Sequence, residues 1–176
     1  MTDAANVVRA VLADLGLPWS ERAPGVFSVS LPGTRKLVTE CALEVGRYGL
    51  SVRAFVVRRP DENEAAFYRW LLEHNLKLGG VCFSVDALGD VYLTGTLPVD
   101  AVSAAVVDQL LGTVAETADR SFNPLLELGF ATSIAREWAW RRSRGESTAN
   151  LAAFAHLAPP AEDVARPAAG TETTGA

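Results

Sequence analysis

The stretch from Phe67 to Pro98, FYRWLLEHNLKLGGVCFSVDALGDVYLTGTLP, limits the folds open to this chain more than any other. Phe67, Trp70, Leu71 and His74 recur at the i, i+3, i+4, i+7 spacing of one helix face, and Gly79-Gly80 then breaks that helix. Val81, Phe83 and Val85 alternate with Cys82, Ser84 and Asp86. Val91, Leu93 and Gly95 alternate with Tyr92, Thr94 and Thr96. A period of two on both sides of the compact turn Ala87-Leu88-Gly89-Asp90 predicts a hairpin, with Gly89 available for positive φ. Strands that come in hairpin-linked groups around a helix make an α+β plan, because a doubly wound fold alternates single strands with helices.

Upstream, Val7, Val8, Val11, Leu12 and Leu15 form the apolar stripe of a helix over about Asp3 to Leu15. Thr2 or Asp3 can cap it, and Gly16 and Pro18 stop it. Alternation then predicts strands over Gly25–Leu31, Lys36–Val45 and Leu50–Val57, joined by short turns. On the third, Ser51, Arg53, Phe55 and Val57 mix polar with large apolar groups. Phe55 and Val57 are either covered by another element of the same chain or belong to a dimer or ligand surface. Asp61 is placed to cap the following helix, with Glu64 reaching back to it.

Downstream, Pro98 opens a long helical region whose apolar face is Val99, Val102, Val106, Leu110, Thr113 and Val114. Asn123-Pro124 is expected to bend or interrupt it, and Gly129 to stop it. Thr132 or Ser133 caps a further helix through Arg141, and Gly145 divides that helix from a second run, Thr148 to Leu157. Residues 1–158 read as one domain with a helical C-terminal extension. Residues 159–176, nearly all Ala, Pro, Gly, Thr, Glu and Asp, read as a flexible tail that cannot bury enough apolar area to order itself.

Composition narrows the function classes. A chain of 176 residues with 49% hydrophobic and 21% charged residues suits one well-buried core. Its net charge of −5 argues against general attraction to nucleic acid or anionic membrane. No uncharged run approaches the roughly 18 residues that span a bilayer, and the start MTDAANVVRA is a poor signal peptide, so the expected address is cytoplasmic. The two cysteines, Cys41 and Cys82, sit in strand-like runs and read as reduced thiols.

Chemical motifs are sparse. His74 and His156 fall on different elements without metal-ligand spacing, no GxSxG elbow occurs, and the glycines lack a phosphate-loop pattern. The reading is therefore non-enzymatic, with no cofactor and no metal. The cluster REWAWRRSR, Arg136 to Arg144, admits three readings: a nucleic-acid patch, a protein interface, or structure. Its members Trp138, Trp140 and Arg141, with Phe55 and Val57, are the candidate protein-binding residues; no nucleic-acid partner is expected.

The run FYRWLLEHNLKLGGVCFSVDALGDVYLTGTLPVDAV, followed by DQLLGTVAETADRSFNPLLELGFATSIAREWAWR, resembles the YbjN-domain proteins of actinobacteria over most of residues 5–157. That resemblance implies a fold like type III secretion chaperones: a twisted antiparallel sheet of about five strands flanked by helices, in the order α-β-β-β-α-β-β-α. It also implies a protein- or peptide-binding role, chaperone-like or in sensory regulation, and a homodimer. The helices after Gly129 and the break at Asn123-Pro124 depart from the shared pattern. The competing reading is a small-molecule sensor or enzyme with a pocket between sheet and helices, which requires that Phe67, Trp70 and Phe83 leave that space unfilled.

Overall fold

A computed structural model describes residues 4–160. It contains helix α1 (Ala4–Asp14), strands β1 (Trp19–Ala23), β2 (Val26–Pro32), β3 (Val38–Val45) and β4 (Gly49–Val57), helix α2 (Glu64–Asn75), strands β5 (Cys82–Val85) and β6 (Val91–Pro98), and helix α3 (Ala104–Arg144). Short 3-10 stretches, Val99–Ala101 and Ala149–Leu157, flank α3. The expected tail from residue 161 onward lies outside the described residues.

The fold is α+β, and its sheet is antiparallel with strand order β1-β2-β3-β4-β6-β5. Six strands form it rather than about five. The additional one, β1, has the sequence WSERA and a mostly exposed pattern, so it carries none of the alternation that marks a half-buried strand.

Alternation in the other strands sorts residues onto two faces. Phe27 and Val29, Cys41 and Leu43, Val52 and Ala54, Leu93 and Phe83 lie on one, each at 6% exposure or less. The apolar stripes of the helices supply its cover: Val8, Val11 and Leu12 from α1, Phe67 and Leu71 from α2, and Val107, Leu111 and Val114 from α3 are all buried. Each such side chain contributes about 1.5–3 kcal/mol on leaving water. The compact turn between β5 and β6 forms as expected: Gly89 has φ 90°, and the Asp86 carboxylate accepts the amides of Leu88 and Asp90.

Two local expectations are corrected at this point. Asp61 and Glu64 do not build a capping box. Asp61 takes two hydrogen bonds from Arg58, Glu64 pairs with Arg59, and α2 starts after Asn63, which is left-handed at φ 54°. Asn63 donates instead to the Leu128 carbonyl at 3.1 Å. Pro124 does not interrupt α3. Pro124 and Arg120 both face solvent, so the carbonyl that loses its donor can turn to water.

The break in α3 falls at Phe130 (φ −144°, ψ 17°), directly after Gly129. The Gly129 carbonyl accepts the amides of Asp61 and Glu62 at 3.0 and 3.2 Å. A Cβ at Gly129 would lie 2.8 Å from Pro60 and 2.9 Å from the Phe67 ring. Close approach to the start of α2, more than proline, decides where the helix changes course. The chain accordingly forms two compact units, one ending at Gly129 and one starting at Phe130.

A bulge also alters β4. Phe55 pairs with Tyr92 but Val57 pairs with Val91, so Val56 is the extra residue. Val57 thereby leaves the face on which strict alternation puts it and joins Val56 in the core, at 5% exposure.

Candidate functional site

Among the described residues, the second face of the sheet carries no helix stripe. Ser28, Ala42, Arg53, Thr94 and Cys82 follow one another across five strands on this face, the last four ranging from half-buried to exposed. Its aromatic part is Phe55 edge-on to Tyr92, with ring centroids 5.6 Å apart. The Arg53 guanidinium lies 4.0 Å from the Tyr92 centroid. The Lys36 ammonium lies 5.3 Å from Phe55 and 5.2 Å from Phe122, and burial lowers its pKa against the opposing pull of Glu40. Phe55 is half-buried at the centre of this array.

The two edges of the sheet differ. On β5, the Asn75 side chain of α2 acts as a surrogate strand: its Oδ1 accepts the Phe83 amide at 2.7 Å and its Nδ2 donates to the Phe83 carbonyl at 3.2 Å. On β1, Ser30 N donates to Pro18 O at 2.9 Å. Alternation in an antiparallel pair then turns the N–H and C=O of Trp19 and Glu21 away from β2. Among the described residues no hydrogen bond is made to those four groups. The Glu21 side chain is anchored by Arg9 and by the Gly25 amide, and these contacts lower its pKa, Arg9 foremost.

Helix α2 presents an apolar ridge outward. Leu72 is 68% and Leu76 88% exposed, one turn apart. The Tyr68 hydroxyl donates to the Gly89 carbonyl at 3.2 Å, which ties the turn bearing exposed Leu88 to the same helix.

In the second unit Arg141 is a brace. It bonds Glu137 at 2.6 Å and the Ser147 carbonyl at 3.0 Å and approaches Glu146 at 3.9 Å. Trp138 is buried at 8% exposure, and its indole Nε1 has no hydrogen-bond partner among the described residues. Trp140 is 43% exposed, with the Arg144 guanidinium 4.9 Å from its ring.

The five candidate residues thus separate. Phe55 lies on the uncovered sheet face, Val57 in the core, and Trp138, Trp140 and Arg141 on different sides of one helix in the other unit. The β1 edge, Asn75 and the leucine ridge escaped the sequence reading. The ridge had a signal: Leu72 and Leu76 lie off the stripe set by Phe67, Trp70, Leu71 and His74.

Among the described residues no group of three or more His, Cys, Asp or Glu could hold a metal ion. Burial raises the Cys41 thiol to about 12, with Glu40 adding to the effect. No helix among the described residues is long and apolar enough to cross a membrane. Phe67 fills its place between sheet and helices completely, whereas Trp70 and Phe83 line an open cavity.

Comparison with known proteins decides the family. The YbjN family model, described as "Putative bacterial sensory transduction regulator", matches residues 4–127. The chain belongs to the YbjN family. As a YbjN protein it is 53% identical over 137 residues to the uncharacterized protein Rv0487 of Mycobacterium tuberculosis, covering 78% of this chain and 75% of that one. It is 49% identical over 129 residues to the uncharacterized protein ML2442 of Mycobacterium leprae, covering 73% and 70%. The fold is similar to that of a chain in the crystal structure of the ExsC–ExsE complex, with a TM-score of 0.51 at 18% identity, covering 69% of this chain and 92% of that one. The family match ends two residues before the boundary between the two units.

Proposed function

We propose that this YbjN protein is a non-enzymatic protein-binding module, chaperone-like or regulatory, that receives an extended segment of a partner along the free edge of β1. The observation that carries the reading is the difference between the two sheet edges. Asn75 occupies the outward backbone groups of Phe83 in the middle of β5, while those of Trp19 and Glu21 on β1 are left for another strand. Main-chain pairing supplies affinity in such a mode, and side chains beside the edge supply selectivity. The fold it shares with a chain of the ExsC–ExsE complex supports a role in binding protein. Phe55, on the uncovered sheet face, and Trp140, exposed in the second unit, are the expected residues that a partner can touch. The leucine ridge of α2 is assigned to the homodimer.

The test places a photo-crosslinking residue at Ser20, exposed beside the β1 edge, or at Asp108, exposed on α3, in full-length protein expressed in its host. One protein captured reproducibly from Ser20 and not from Asp108 supports the reading. Equal capture from both positions, or none from Ser20, rejects it.

A further inference from the structure

A cavity of about 400 Å³ opens between the C-terminal half of α2, β5 and the part of α3 before Pro124, within the first unit. Its size falls in the range of sites that enclose small organic molecules. One wall is aromatic. The Trp70 and His74 rings stack at 3.5 Å and 18°, and Phe83 lies 6.0 Å from Trp70, so a flat ring finds flat neighbours. The opposite wall contains Ser121, a residue only 6% exposed, whose hydroxyl makes no hydrogen bond among the described residues. A hydroxyl that no protein group occupies is open to a ligand's donor or acceptor.

The polar groups also have a sense. His74 Nδ1 lies 2.8 Å from the Trp70 carbonyl, an acceptor, so this nitrogen carries the proton and neutral His74 keeps Nε2 as an acceptor. At the rim Arg120 is paired with Glu116 at 3.0 Å, whereas Lys77 has no ion pair among the described residues. The rim therefore carries one uncompensated positive charge.

We propose that this cavity binds a small planar aromatic carboxylate bearing a ring N–H or O–H: the ring against Trp70 and His74, its donor toward Nε2 or Ser121, its carboxylate toward Lys77. The inference stands apart from the β1 edge and survives if that reading fails.

The test follows backbone amide NMR shifts of the full chain during titration with 4-hydroxybenzoate and with indole-3-carboxylate. Cyclohexanecarboxylate serves as an anion without a flat ring, and indole as a flat ring without charge. Expected are saturable shifts at residues lining the cavity with at least one aromatic carboxylate, and roughly tenfold weaker binding of both controls. Ser121→Leu, which fills the cavity, should abolish the shifts. Lys77→Glu, at the exposed rim and without a core contact to lose, should weaken binding several-fold while the melting temperature stays unchanged. No saturable shift with either aromatic carboxylate, equal binding of a control, or full affinity in the Lys77→Glu protein overturns the assignment.

Discussion

The carboxylate of Asp119, on α3, accepts the backbone amide of Thr34 at 2.7 Å across 85 residues of sequence. It also accepts the Thr34 hydroxyl at 2.9 Å and the amides of Arg35 and Lys36 at 2.7 and 3.0 Å, so one side chain holds the whole β2–β3 turn. Burial by itself raises the Asp119 pKa, but those donors outweigh it and hold the carboxyl below its ordinary value. A depressed carboxyl contributes stability above its unfolded pKa and loses it as pH falls through the folded one. Asp119→Asn should therefore cost about 2 kcal/mol at neutral pH, with the deficit shrinking toward strongly acidic pH. Urea unfolding across that range measures both. A deficit that does not change with pH would refute the assignment.

Gly129→Ala should destabilise by about 1–3 kcal/mol, because the added methyl meets the Phe67 ring and Pro60 below van der Waals distance. Among the described residues Gly112 has no atom within 4 Å of the corresponding position, so Gly112→Ala is the control and should be neutral or slightly stabilising. Thermal melts of the two variants decide the comparison.

The outcome at Gly129 also shows what a linear reading captures. Alternation in β2, β3, β4 and β6 and the stripe of α2 were legible because burial on one face imposes a period that the residues must obey. The resemblance carried by Phe67 to Pro98 was equally legible. Three things were not. β1 is an exposed edge and obeys no burial pattern. The bulge at Val56 shifts parity by one residue without a glycine or proline to mark it. Asn63, Asp61 and Gly129 owe their roles to contacts some 65 residues apart, where local capping chemistry loses to tertiary hydrogen bonds. Only the exposure of the candidate residues follows from the structure, and for the same reasons it is uneven: Phe55 and Trp140 reach a surface, while Val57 and Trp138 are turned inward.

The two thiols should separate cleanly under labelling. Cys82 is exposed and Cys41 buried, and burial holds the Cys41 thiol protonated up to about 12. A disulfide reagent at pH 8 should modify one thiol per chain at once and the second only on unfolding, with mass spectrometry placing the first adduct on Cys82. Rapid modification of both would contradict the packing around Cys41.

Leu72→Glu combined with Leu76→Glu should leave the melting temperature within a few degrees, since neither side chain contributes to the core. If the proposed homodimer forms through this ridge, wild type should sediment as a dimer and the same pair of substitutions as a monomer. Unchanged sedimentation in a folded double variant would remove the ridge from the interface.

Asn75→Leu removes both hydrogen bonds to Phe83 and should cost about 1–2 kcal/mol. It should also promote concentration-dependent association, because the unpaired groups of β5 become a template for a neighbouring chain. Light scattering against wild type measures that association, and an equally monodisperse variant would show that Asn75 does not guard the edge.

The two rims of the sheet together set its valence. A sheet open at both ends can be extended without limit, each added strand offering a fresh rim to the next, which is how fibres grow. Here the two rims are unequal: Asn75 holds Phe83 on β5, while Trp19 and Glu21 on β1 are open. A strand that docks on β1 ends the addition at that side if its own far rim is occupied by the protein it comes from, and Asn75 obstructs it at the other. Two copies meeting through β1 would likewise close on themselves, with an Asn75-guarded rim outermost at each end. The geometry thus favours complexes of fixed stoichiometry over open-ended assembly, a property written by one asparagine at the far side of the molecule from the contact it regulates.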